Sequence, residues 1–214
     1  MKFRIDLKIF IFLILFYFTK QIQIYSLIMI FAIIHELGHL IVGLLIGMKP
    51  EKLELMPFGV SISFKINANE YNKKIKKGNM LEIKKIIVAL AGPITNFIII
   101  LISNNFNMDF VKSTLIIYTN FLIMIFNLLP IYPLDGGRVL KGILHIIFGK
   151  RKSEKYINTI SKITVIAITA ISSILILYIK NISIFLIDMY LWYLVVKDNL
   201  RYKKREEIWT KLTS

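Results

Sequence analysis

The chain has 214 residues, 56% of them hydrophobic, too apolar a composition for a soluble domain of this length. Its formal net charge of +15 does not signal nucleic acid, because the cations lie between apolar runs as they do on the cytosolic face of a membrane protein. There is no cysteine, which excludes disulfides and thiolate ligands, so a zinc ion would have to be held by histidine and carboxylate.

The N-terminus carries Lys2, Arg4 and Lys8 ahead of an apolar stretch. The residues that follow, Thr19-Lys20-Gln21-Ile22, offer no small-x-small cleavage site. The stretch therefore reads as a retained first span, roughly Ile5 to Phe18, rather than a signal peptide. It is short against the roughly 20 residues that a bilayer requires.

The second span is expected from Ile22 to Gly47 and contains His35-Glu36-Leu37-Gly38-His39. Residues four apart share a helix face, so His35 and His39 can offer ring nitrogens to one metal ion. Glu36 stands beside the first histidine and can take a proton from a water that such a metal activates. Ionisable groups inside a span are costly and point to function.

From Lys52 to Ile66 the pattern predicts a β-hairpin. Apolar and other residues alternate strictly from Val60 to Ile66, and Pro57-Phe58-Gly59 supplies a turn. An irregular amphipathic loop is the alternative. Asn67 to Lys85 is polar and basic and reads as a solvated loop. A third span is expected from Ile86 to Ile102, containing Ala91-Gly92-Pro93 and Asn96. A polar connection, Ser103 to Asp109, leads to a fourth span from Phe110 to Leu129.

The fourth span ends in Asn127-Leu128-Leu129-Pro130-Ile131-Tyr132-Pro133-Leu134-Asp135-Gly136-Gly137-Arg138. Its prolines and glycines break the helix. Broken backbone at membrane depth survives only where protein or water satisfies it, which would put Asp135 in a wet, protein-lined cavity. A plain turn at the membrane surface fits the same residues. A short helix follows, Val139 to Phe148, with an interfacial His145. Beyond the basic residues Lys150, Arg151, Lys152 and Lys155, a fifth span is expected from Ile163 to Ile179 and a sixth from Ile182 to Val196. Asp188 in the sixth is either functional or, as expected here, matched by a polar partner on a neighbouring helix. From Lys197 a short basic tail is expected.

With six spans and a cytosolic N-terminus, 25 of the 28 Lys and Arg fall on the cytosolic side and only Lys20, Lys112 and Lys180 on the other. The positive-inside rule then sets the orientation. The metal motif and Asp135 both fall toward the cytosolic half of the membrane.

The chain resembles the site-2 protease family of intramembrane zinc metalloproteases. His35-Glu36-Leu37-Gly38-His39 is similar to the family's H-E-x-G-H, Leu134-Asp135-Gly136 to its L-D-G, and Ala91-Gly92-Pro93-Ile94-Thr95-Asn96 to its G-P-x-x-N. Leu55-Met56-Pro57-Phe58-Gly59 and Asn127 through Arg138 resemble the sporulation branch, which cuts the membrane-tethered pro-sequence of a sigma factor. The resemblance implies an all-α polytopic membrane protein of six transmembrane helices with a short membrane-associated β-hairpin. It implies a protease domain over residues 1–200 and a basic cytosolic tail over 201–214, with both termini and the active-site opening toward the cytosol. No CBS or PDZ domain is expected.

The resemblance further implies Zn2+ held by His35, His39 and Asp135, with Glu36 as catalytic base. Asn127, Asn96, Phe58 and Gly59 would line the substrate or oxyanion site. Asn127 could equally brace the broken helix. The implied partners are a membrane-tethered or transmembrane protein substrate, an inhibitory membrane protein and the lipid bilayer, with no nucleic acid. Three other readings fit the residues: a non-proteolytic metal-binding membrane protein or transporter, a zinc enzyme acting on lipid, and a site-2 protease of envelope stress signalling.

Overall fold

The computed structural model describes residues 2–5, 17–18, 22–56, 59–65, 75–105, 113–179 and 182–213. The chain forms two compact units, Met1–Asn127 and Leu128–Ser214.

In the first unit, strand β1 (Lys2–Ile5) precedes helix α1 (Ile22–Leu45), strands β2 (Lys49–Met56) and β3 (Gly59–Lys65), and helices α2 (Ile75–Asn105) and α3 (Ser113–Leu128). Helix α1 buries Tyr25, Phe31, Ala32, His35, Gly38, His39 and Gly43, one stripe at helical spacing. Ile30, Leu37, Ile41 and Leu44 point outward, as lipid-facing residues would. The helix stops at Gly47, whose φ is +78°. Gly47 N–H donates to Leu44 O at 3.0 Å and Met48 N–H to Gly43 O at 2.9 Å, a glycine-terminated Schellman end that satisfies two orphan carbonyls.

The sheet has the order β1–β2–β3. β2 and β3 pair antiparallel with Leu53 opposite Ile62, as the alternation from Val60 predicts, and the register shifts between Pro50 and Lys52. β1 was not foreseen: Lys2 to Ile5 pairs parallel with Lys52 to Leu55. Ile5 therefore ends a strand rather than starting a span. The reason is legible afterwards, because Lys2, Phe3, Arg4 and Ile5 alternate basic and apolar at the strand period. The sheet sits on α1 through Phe64, whose ring lies where a Cβ on Gly43 would be.

Helix α2 corrects a second expectation. Residues Ile75 to Lys85 are helical rather than loop. Leu81, Glu82, Val88 and Ala89 are buried on one side, and Lys85 Nζ stands 2.7 Å from Glu82 to neutralise that carboxylate. A lysine-rich helix is stable when its apolar positions share a face. Helix α3 has 16 residues, about 24 Å at the helical rise, and buries Ile116, Thr119 and Asn120.

The second unit contains α4 (Asp135–Phe148), α5 (Lys150–Ile179) and α6 (Ile182–Thr213). The turn before α4 is tight: a Cβ at Gly136 would meet the Leu128 and Leu129 carbonyls, and one at Gly137 the backbone of Ile131. Helices α5 and α6 run antiparallel, tied by Asn158 Nδ2 to Asn199 Oδ1 at 3.1 Å, Trp192 Nε1 to Thr169 Oγ1 at 3.0 Å and Ser172 Oγ to Asp188 Oδ1 at 3.2 Å. Asp188 thus has the expected polar partner. The segments expected as a basic connection at Lys150 and a basic tail after Lys197 are both helical. They bury Ser153, Glu154, Asn158 and Asp198. Arg205 Nε approaches Glu154 Oε2 to 3.1 Å and Lys141 Nζ approaches Glu154 Oε1 to 3.8 Å. Burial raises the Asp198 pKa against the opposing pull of Lys141, Arg205 and Arg201.

Among the described residues, Ile22–Leu45, Asn79–Asn104 and Lys150–Tyr178 are long and apolar enough to cross a membrane, and Ser113–Leu128 is a shorter apolar helix. Most of the expected first span, the Pro57–Phe58 turn and Ile66 of the expected hairpin, residues 67–74 of the expected loop and the start of the expected fourth span lie outside the described residues.

Candidate metal centre

His35 and His39 lie one turn apart on α1 and are 3% and 2% exposed. Their Nε2 atoms are 3.2 Å apart. Two nitrogens on a tetrahedral zinc at about 2.0–2.1 Å stand about 3.3–3.4 Å from each other, so the pair is already set at ligand spacing.

Helix α2 sets that spacing. Val88, Gly92 and Asn96 are four residues apart and face α1. His39 Nδ1 lies 2.7 Å from the Val88 carbonyl oxygen, and His35 Nδ1 lies 3.0 Å from Asn96 Oδ1. Between them Gly92 leaves room for the rings, since a Cβ there would collide with His39 Nε2 and His35 Nε2. Gly38 serves the same close approach from the α1 side, against Thr95 and the Ala91 carbonyl. Pro93 stands inside α2. Proline has no N–H to give, so the Ala89 carbonyl, one residue after the Val88 carbonyl that serves His39, lacks its usual helical donor.

The protons follow from these partners. A carbonyl oxygen can only accept, so His39 carries its proton on Nδ1. Gly92 N–H also lies 3.2 Å from His39 Nδ1, a contact that would need the opposite tautomer. The Val88 contact is shorter and its oxygen is the better acceptor, so it decides. Both Nε2 atoms are then unprotonated lone-pair donors facing each other, which suits a cation and not an apolar core.

Asp135 is the first residue of α4, with Leu134 at the N-cap, and is 4% exposed. Arg138 Nη1 is 3.5 Å from its Oδ1. Among the described residues, His35, His39 and Asp135 are of the types that could together hold a metal ion. The donor set, two neutral imidazoles and a carboxylate, fits zinc and leaves a fourth tetrahedral position. Glu36 follows His35 on α1 and is half-buried.

The remaining expected site residues fall as follows. Asn96 is fully buried and engaged with His35. Asn127 Nδ2 donates to Ile123 O at 3.0 Å within its own helix, a bond of the bracing kind. Gly59 opens β3 opposite Met56. Phe58 lies outside the described residues. His145 is half-buried in the last turn of α4 and is not in the metal group. Sequence reasoning missed Val88 and gave Gly92 no role. A backbone acceptor has no side-chain signature, but a Gly-Pro pair inside an apolar span marks a place where a helix lacks one side chain and one backbone donor.

The comparisons agree with this geometry. The chain matches Peptidase family M50 over residues 23–112 and 103–171. It is 30% identical over 179 residues to "Zinc metalloprotease MJ0392" of Methanocaldococcus jannaschii, covering 79% of this chain and 47% of that protein. It is 25% identical over 126 residues to "Stage IV sporulation protein FB" of Bacillus subtilis, covering 57% of this chain and 40% of that protein. The chain thus spans about half the length of the curated relatives it matches. The fold is similar to that of the site-2 protease from Methanocaldococcus jannaschii, with a TM-score of 0.62 and 24% identity over 92% of this chain and 91% of that one. Together with the apolar helices, the match marks an integral membrane protein. With the family matched along most of its length and the histidine pair of α1 set at ligand spacing, the chain belongs to peptidase family M50.

Proposed function

We propose that the protein is an intramembrane zinc metalloendopeptidase that hydrolyses a peptide bond in a membrane-embedded or membrane-tethered protein. The observation that carries this reading is the pair of Nε2 atoms 3.2 Å apart, with a glutamate directly following the first histidine. A transporter or passive metal scaffold has no use for a base at that position.

His35, His39 and Asp135 would hold the zinc. Bound zinc is a Lewis acid that polarises a carbonyl and lowers the pKa of water to about 7. Glu36 accepts the proton that the attacking water loses and returns it to the leaving amine. The fixed Nδ1 partners hold both rings in place, so no reorganisation is needed during the reaction.

The lysines and arginines favour an orientation with the termini and the site opening toward the cytosol. Because the chain has no cysteine, single cysteines at Asn72 and Asn105 report sidedness without background. Position 72 labels from the cytosol and position 105 from the opposite side; labelling of 72 from outside inverts the orientation. The similarity to the sporulation protein supports a substrate of the membrane-tethered pro-sigma type.

Glu36→Gln tests the chemistry. On one preparation, zinc content stays at the wild-type level while cleavage of a membrane-tethered substrate falls by at least about 10²-fold, the scale of a lost general base. Full cleavage by the variant defeats the mechanism.

A further inference from the structure

We propose that Asn96 is a positioning residue: it fixes the tautomer and ring orientation of His35 so that Nε2 is presented to the metal. The inference rests on the zinc reading above. Asn96 is fully buried and joins three helices. Its Nδ2 donates to the Asn120 backbone carbonyl on α3 at 3.3 Å, and its Oδ1 faces His35 Nδ1 at 3.0 Å.

The order of these bonds fixes the proton. The Asn120 carbonyl can only accept, so the amide's NH2 must point toward α3. The Oδ1 then points toward α1, where it can only accept. His35 Nδ1 must therefore be the protonated nitrogen, and Nε2 carries the lone pair. A partner on the second ring nitrogen both orients a ligating histidine and makes it a stronger donor.

The two histidines differ in how they are held. His39 leans on a backbone oxygen, Val88 O, which no side-chain substitution removes. His35 leans on a side chain. Asn96 is thus the residue through which sequence controls the metal pair, while Val88 is a built-in control.

The substitutions separate positioning from bracing. Asn96→Asp keeps an acceptor for His35 Nδ1–H but lacks the NH2 that binds the Asn120 carbonyl. Asn96→Leu, of similar size, removes both. Asn96→Ala repeats the comparison if the leucine variant does not fold. Val88→Ala leaves its carbonyl in place. The full chain is purified in detergent, and zinc affinity is measured by competition with a chromogenic chelator. The visible spectrum of the Co2+ form reports ligand geometry independently of turnover.

Asn96→Leu weakens zinc binding by about 10–100-fold and shifts the Co2+ bands, whereas Asn96→Asp stays within roughly threefold of wild type, as carboxylate–histidine–zinc pairings do. Val88→Ala binds as wild type. Zinc binding by Asn96→Leu at the wild-type level overturns the proposal, as does an equal loss in the aspartate and leucine variants, which would make Asn96 a brace only. A wild-type chain that binds no zinc defeats the metal reading itself, and with it this inference.

Discussion

Gly92 on α2 faces His39 on α1 so closely that a Cβ on residue 92 would collide with the imidazole Nε2. The contact explains why a residue without a side chain stands beside the proline in α2. It also makes a sharp test. Gly92→Ala should displace both Nε2 atoms and lower zinc affinity by at least about tenfold, the lower end of what disturbed ligand support costs. The variant's melting temperature in detergent controls for misfolding. Wild-type zinc affinity in a folded Gly92→Ala protein would mean that the rings sit elsewhere.

Asp135 gives the second prediction. Asp135→Ala removes a proposed ligand, so zinc occupancy and cleavage both fall. Asp135→Asn keeps an oxygen donor and retains more metal, with poor turnover. Zinc analysis of the purified variants separates these outcomes. If Asp135→Ala holds zinc as wild type does, the third ligand is another residue and His145 is the next to change.

The third prediction concerns β3, the outer strand in the order β1–β2–β3. A helical substrate hides its carbonyls in its own hydrogen bonds, and pairing with an edge strand gives unwound backbone new partners. Alternate residues of a strand direct their N–H groups to opposite edges. Proline at Ser61, Ser63 and Lys65 therefore tests one edge, and proline at Val60 and Ile62 the other. One set should impair cleavage of a helical substrate with zinc retained, and impair cleavage of an extended peptide less. Tolerance of proline throughout β3 would rule out strand pairing.

The fourth prediction is a pH dependence of stability at the α5–α6 hairpin. Burial raises the Asp198 pKa, and Lys141, Arg205 and Arg201 only partly oppose it. A carboxyl with a raised folded pKa favours the native state while protonated. That contribution is lost as pH rises from its unfolded value through the raised folded value. Asp198→Asn removes this dependence. At pH 7 the variant should melt at the wild-type temperature or about a few degrees above it, since about 1 kcal/mol moves a domain of this size by that much. The gap should close toward pH 4. A large drop in melting temperature at pH 7 would show that the Arg205 attraction outweighs burial.

The parts of the molecule with a period were legible in its sequence. His35 and His39 are one turn apart, Val60 to Ile66 alternates, and Gly136-Gly137 marks a turn too tight for side chains. Each declares its geometry through spacing alone. Asp135 was different, because nothing local ties it to residues almost a hundred positions earlier; the charge distribution put it in the same half of the membrane as the histidines, and the family resemblance named it as their co-ligand. β1 was hidden because four residues of alternating basic and apolar character also look like the flank of a span. The helical stretches at Ile75–Lys85 and after Lys197 were hidden by their lysines, which disguise a buried face unless the apolar positions are counted separately. Val88 could not have been found at all, since its role belongs to a carbonyl that every residue possesses.

Gly47 ends α1 and only Met48 intervenes before β2 begins at Lys49. One helical turn beyond His39, the ring of Phe64 in β3 closes onto Gly43. The sheet is therefore attached to α1 by a tether without slack and pinned again by an aromatic clasp. Strand and histidine cannot slide past one another, so their offset is a fixed length, about 6 Å along the helix axis from His39 to Gly43. The first unit carries a molecular ruler whose zero is the metal pair, and inserting a single residue at Met48 would reset it.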